Sequence, residues 1–253
     1  MNIKSLFASS IREEFSSQQT LTLIGLAGLA TLLIAFIPWL GWLNYPFRLL
    51  LTLVHELGHG LAALLTGGEF RGFVVYPSGA GLAYTAGGWR WVTIPAGYVG
   101  VALFGAVLIL LGRSQWWSRL ALGLMGAAMI WLSLWYGVPT ILSISLPIGL
   151  LTTLSGLVFG GFFVWVAWKA TPGWIIFLLH LLAIQAGLTA FSDLMTVMGL
   201  SLNFFNAPAN DARSMAELTF IPAIIWAVLW AGLAAILIGG AIWVTWGAGG
   251  EER

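Results

Sequence analysis

Seven stretches of the chain are apolar over about the length a bilayer requires, and most polar residues fall between them. The runs are Leu21–Leu43, Phe47–Thr66, Trp91–Leu111, Trp116–Tyr136, Pro147–Trp168, Trp174–Leu200 and Phe220–Trp246. Each is near the ~20 residues that cross a hydrocarbon core as a helix. The pattern predicts an all-α polytopic membrane protein with about seven transmembrane helices. Residues 1–20 mix Lys4, Arg12, Glu13 and Glu14 with Phe7, Ile11 and Phe15, and read as an N-terminal surface segment. Residues 21–247 form one membrane domain, and 248–253 a C-terminal tail. Leu21–Leu43 is too long for a signal-peptide core and has no small-residue cleavage site, so it reads as a retained helix. Gly137–Leu146, uncharged and carrying Pro139, reads as a short or partly embedded loop.

Between Gly67 and Trp89 the period changes. Phe70–Tyr76 and Leu82–Ala86 are short β-prone runs separated by Pro77-Ser78-Gly79-Ala80-Gly81, the pattern of a β-hairpin. Its exposed edge would hold an extended peptide through main-chain hydrogen bonds.

Composition supports the membrane reading. Hydrophobic residues make up 60% of the chain and charged ones 8%, with mean hydropathy +0.96, which excludes a soluble domain of this size. The net charge of +1 gives no reason to expect nucleic acid as a partner. With no cysteine, a metal must be held by His, Asp, Glu and water. Many Trp, among them Trp39, Trp42, Trp116, Trp168 and Trp174, stand near segment ends as interfacial anchors do. Trp131 and Trp230 lie inside segments and read as packing residues.

Inside the second run stands His55-Glu56-Leu57-Gly58-His59. Two imidazoles four residues apart lie on one helical face and can grip one ion. Glu56 points about 100° away from that face, placed to handle a metal-bound water. Catalytic zinc takes three protein ligands and leaves one position for water. The other candidates are His180, Asp193 and Asp211. His180 and Asp193 are about 20 Å apart along one helix and cannot share an ion. His59 and Asp193 each lie seven residues before the end of their runs, on helices expected to be parallel, and so sit at matching depth. That favours Asp193 as third ligand, with His180 a packed histidine near the opposite interface. Asp211 and Glu217 fall in the polar loop Ser201–Leu218 with Asn203, Asn206 and Asn210. This loop is a solvated connection in which Asn210 or Asp211 starts the last helix, a lid over the site, or the source of Asp211 as ligand instead of Asp193.

Thr52–Gly68 with its H-E-x-x-H core, the hairpin, and Pro95-Ala-Gly-Tyr-Val-Gly100 together resemble the site-2 protease family of intramembrane zinc metalloproteases. The small bacterial branch without a peptide-binding soluble domain is the nearest likeness. Phe191-Ser-Asp-Leu194 and Asn210–Thr219 resemble that branch more weakly. The resemblance implies zinc held by His55, His59 and Asp193, with Glu56 as general base and zinc-bound water as nucleophile. It also implies a membrane protein or peptide as substrate, a multi-pass protein of the bacterial cytoplasmic membrane, and a site near the cytosolic face. Charge leaves orientation open, with five Lys or Arg expected on each side. A non-proteolytic zinc-binding membrane protein and a metal transporter are the alternatives.

Overall fold

The computed structural model describes residues 17–112, 114–201 and 210–247. The tail 248–253, most of the N-terminal segment, and the part of the polar loop holding Asn203, Asn206 and Pro208 lie outside them. Helix α1 (Ser17–Phe36) leads through a short 3-10 turn (Pro38–Leu43) into α2 (Asn44–Leu65), which carries the H-E-x-x-H motif. Strands β1 (Glu69–Val75) and β2 (Gly81–Ala86) follow, then the single turn α3 (Arg90–Thr93) and the helix α4 (Ala96–Leu111). The chain continues through α5 (Gln115–Leu132), α6 (Val138–Ser143), α7 (Leu146–Lys169), α8 (Pro172–Ser201), α9 (Asp211–Thr219) and α10 (Ala223–Ile242).

Among the described residues, five helical segments are long and apolar enough to cross a membrane: Pro38–Leu65, Gln115–Ser143, Leu146–Lys169, Pro172–Asp193 and Ala223–Thr245. The first and third expected runs correspond to shorter apolar helices, Gln19–Ile34 and Ala96–Leu111. The chain is a multi-pass integral membrane protein. Gly137–Leu146 is not the expected loop: a π turn at Ser133–Gly137 carries α5 directly into α6. Pro139 has no N–H to give and crowds the preceding turn, and a widened turn accommodates both effects. The Trp at segment ends are exposed, whereas Trp230 is buried. Trp131 departs from the packing role expected for it; it faces outward and stacks on Trp135.

Helix α4 lies at the centre, packed against α2, α8 and α10, and α5 packs on α7. Close approach follows from small residues. A Cβ at Gly58 of α2 would collide with the Ala96 carbonyl, and one at Gly105 of α4 would press on Ala186 of α8. Arg119 of α5 donates to the carbonyls of Ala167 and Ala170, closing the C-terminal end of α7 with a cation where the helix dipole favours one.

The hairpin is present within the expected Gly67–Trp89 segment, antiparallel, with a bulge between Phe70 and Gly72. It lies along α2 instead of projecting from it. The Phe70 ring fills the space over Gly60, the Thr52 hydroxyl donates to the Gly79 carbonyl at 2.7 Å, and the Tyr45 hydroxyl donates to the Pro77 carbonyl at 3.0 Å. From Gly60 back to Tyr45 is about 22 Å of helix, so the hairpin reaches most of the way down a membrane-spanning element. At that depth a bare strand edge is not tolerated against lipid. β1 is accordingly buried, and its Val75 N–H donates to the Thr152 hydroxyl of α7 at 2.8 Å. That hydroxyl in turn donates to the Ile148 carbonyl.

Thr152→Val keeps the shape but removes the acceptor, leaving the Val75 N–H buried and unpaired. The expected cost is about 1–3 kcal/mol, seen as a lower thermal unfolding midpoint in detergent. Thr152→Ser should retain most of the stability; equal midpoints for all three proteins would show that the edge contact contributes nothing.

Candidate metal centre

The two histidines leave α2 on one face, as their spacing requires, and their Nε2 atoms lie 3.1 Å apart. The ring of His59 is fixed from behind: its Nδ1 donates to the Thr93 carbonyl of α3 at 2.7 Å. That bond fixes the ring with Nε2 turned into the cavity, the arrangement that orients metal-binding imidazoles. The Tyr98 ring of α4 stands edge-on to His55 at 4.7 Å and stacks on Trp230 at 6.0 Å.

A carboxylate completes the group. Asp211 Oδ2 lies 3.2 Å from both Nε2 atoms. It is delivered by α9, whose start is set by Asn210: the Asn210 side chain accepts from the Arg213 N–H at 3.0 Å, an N-cap that makes Asp211 the first helical residue. Ala212 and Met215, one turn apart, are fully buried against residues of α2, α4, α8 and α10, which presses the start of α9 onto the site. Burial by itself would raise the Asp211 carboxyl. The attraction of His59 and hydrogen bonds from both imidazoles outweigh this and hold it well below the usual carboxylate range, so it stays anionic.

The three ligand atoms therefore form a triangle with edges of 3.1 to 3.2 Å. A tetrahedral ion with bonds of about 2.0 Å sets its ligands about 3.3 Å apart, so the residues fit a small divalent metal such as zinc. The space is kept open by glycine: a Cβ at Gly97 would run into the Nε2 atoms of both histidines. Glu56 is buried beside the group and lines the same cavity as Ala83 of β2. Gly81 gives it room, since a Cβ there would strike the Glu56 carboxylate.

Among the described residues, His55, His59 and Asp211 form the group with metal-ligand spacing. Asp193 is not brought into it. Asp193 lines the same cavity, of about 580 Å³, from α8. Matching depths along two helices could nominate Asp193 but could not see that α9 folds back over the site with a second carboxylate. His180 is remote, buried against Gly112 at the far end of α4, about 22 Å along that helix from Gly97. Its Nδ1 donates to the Ile176 carbonyl. Glu217 pairs with Arg213 on the exposed face of α9. Thr93 went unnoticed because a backbone carbonyl leaves no motif, and Gly97 and Tyr98, though within the Pro95–Gly100 segment that carries the resemblance, were given no role because an absent side chain and an aromatic contact do not announce one.

A family model described as Peptidase M50B-like matches residues 28–241, in agreement with the resemblance to site-2 proteases. No curated protein and no solved structure matches the chain.

Gly97→Ala should place a methyl group against both imidazoles. Metal retained after purification, measured by atomic emission, is expected to fall at least about tenfold in a protein that still folds, the scale at which disturbing the surroundings of a metal site is felt. Full metal content in that variant would remove the His55–His59 pair as the site.

Proposed function

The chain belongs to the peptidase M50B-like family, a metallopeptidase family, and on that footing we propose that it is an intramembrane zinc metalloprotease cutting peptide bonds of membrane-embedded substrates. The observation that carries this reading is the His55–His59–Asp211 triangle with Glu56 beside it, the two histidines and Glu56 standing on a helix long and apolar enough to span the membrane and Asp211 on α9. His55, His59 and Asp211 hold the ion; Asp193 stays in the cavity wall. The bound metal supplies a Lewis acid and activates water at neutral pH.

The remaining chemistry belongs to the chain. Glu56 takes the proton of the attacking water and returns it to the leaving amide nitrogen. Its burial beside β2 keeps it near the reacting bond and away from bulk solvent. β2 is only partly buried, and Gly81, Ala83 and Thr85 line the cavity. The substrate, unwound locally so that its carbonyls are accessible, adds to this edge and is held by main-chain hydrogen bonds. Tyr98 and the Thr93 carbonyl keep the imidazoles in place. The protein resides in a bacterial cytoplasmic membrane, with lipid and membrane peptides as its surroundings.

Glu56→Gln should bind zinc normally and lose cleavage of a fluorescent membrane peptide by at least about 10³-fold, on the general-base assignment. Cleavage near the wild-type rate would sink that assignment. Asp211→Asn should lose most of its zinc, whereas Asp193→Asn should keep it; the opposite result would return the third-ligand role to Asp193. Zinc bound by a wild-type protein that cuts nothing would favour a structural metal, and zinc flux into vesicles would favour transport.

A further inference from the structure

Arg48 stands seven residues before His55 on the same face of α2 and lines the cavity with His55, Glu56 and Asp193. Among the described residues it is the only Lys or Arg in the cavity wall. Its side chain lies across the hairpin turn. Gly79, at φ +81°, leaves the space for it, and a Cβ there would come within 2.5 Å of Nε. Among the described residues no carboxylate is within ion-pairing distance of the guanidinium. Asp193 lines the same cavity from α8.

A cation within a membrane-spanning helix is costly unless it faces water or an anion. Here it faces the cavity in which the substrate must lie. Tyr45 and Thr52 already hold the hairpin turn through their hydroxyls, so Arg48 is not needed to fasten it. Its position relative to the cut follows from strand direction. β2 starts at the hairpin turn with Gly81 and runs away from Arg48. A peptide added antiparallel to β2, the more stable pairing, has its C-terminal end at the turn. Seven helical residues separate Arg48 from His55, about 10 Å, which is about three residues of extended chain.

We propose that Arg48 forms a carboxylate subsite on the C-terminal side of the scissile bond, about three residues beyond it. It would favour membrane peptides that carry there either a free α-carboxylate or an acidic side chain. The inference rests on the protease reading but is tested separately from it.

The test uses the full-length zinc protein in detergent and a membrane-helix peptide whose cut site has been mapped. Four versions are compared: one ending three residues past the cut as a free acid, the same as an amide, and long forms with Glu or Gln at that place. For wild type, the acid or the Glu form should show a KM about 10- to 100-fold lower than its neutral partner, the range of a charge-assisted pair, with kcat little changed. Selectivity between the first two versions identifies a chain end, and between the last two a side chain.

Arg48→Gln should bring the KM ratio of each acidic and neutral pair to about one, and Arg48→Lys should restore part of the preference. Binding of the same four peptides to Glu56→Gln, followed by fluorescence anisotropy, reads the selectivity without turnover. Equal binding of all four, or a preference unchanged in Arg48→Gln, overturns the subsite. Absence of cleavage by wild type, with selective binding intact, overturns only the protease reading.

Discussion

Lipid offers no hydrogen bonds, so every backbone polar group that enters the bilayer must find its partner in protein or in enclosed water. Most of this chain meets that demand by being helical. Among the described residues the main exception is the hairpin Glu69–Ala86, which lies along α2 to the level of Tyr45. One edge is closed by Thr152. The other, on β2, lines the cavity that holds His55, Glu56 and His59. The hairpin is stable in the membrane because that edge faces a polar space, and the same exposure suits it to take up an unwound peptide. Solvation of the edge and access to the metal centre are thus one requirement, met by one cavity.

The centre draws on elements with different degrees of anchoring. His55, Glu56 and His59 belong to a helix packed on α4 and the hairpin, with His59 braced by the Thr93 carbonyl. Asp211 arrives on a nine-residue helix held by an Asn210 cap, two buried side chains, and the bond from the Trp226 indole to Thr219 at its end. The absent side chains of Gly97 and Gly81 matter as much as those present, since both sites of closest approach lie over them.

What the sequence revealed follows the range over which each signal acts. The apolar runs marked the helices because burial in lipid acts on about twenty residues at once, although length alone did not show that Ala96–Leu111 is short of a full span. The hairpin was readable from Pro77–Gly81 between β-prone runs, but its course down α2 depends on Tyr45 and Thr52 meeting it from another element. The His55–Glu56–His59 constellation was legible because one helix sets its geometry. Which carboxylate lies beside the histidines was left between Asp193 and Asp211, because it depends on how α9 packs, and Ala212 and Met215 carry no signature of that in one dimension. Trp131 shows the same limit: its position within a span could not tell a lipid-facing surface from an interior one.

The delivery of Asp211 has a further consequence. His55 and Asp211 stand 156 positions apart, with most of the membrane helices between them. An ion shared by these two residues would bind the folded chain, where the two ends of this very long loop meet, and not the unfolded one, so its binding would add to the stability of that arrangement. In a chain with no cysteine, coordination would then serve as the cross-link. The ion would be the fastening that keeps the last helices against the first.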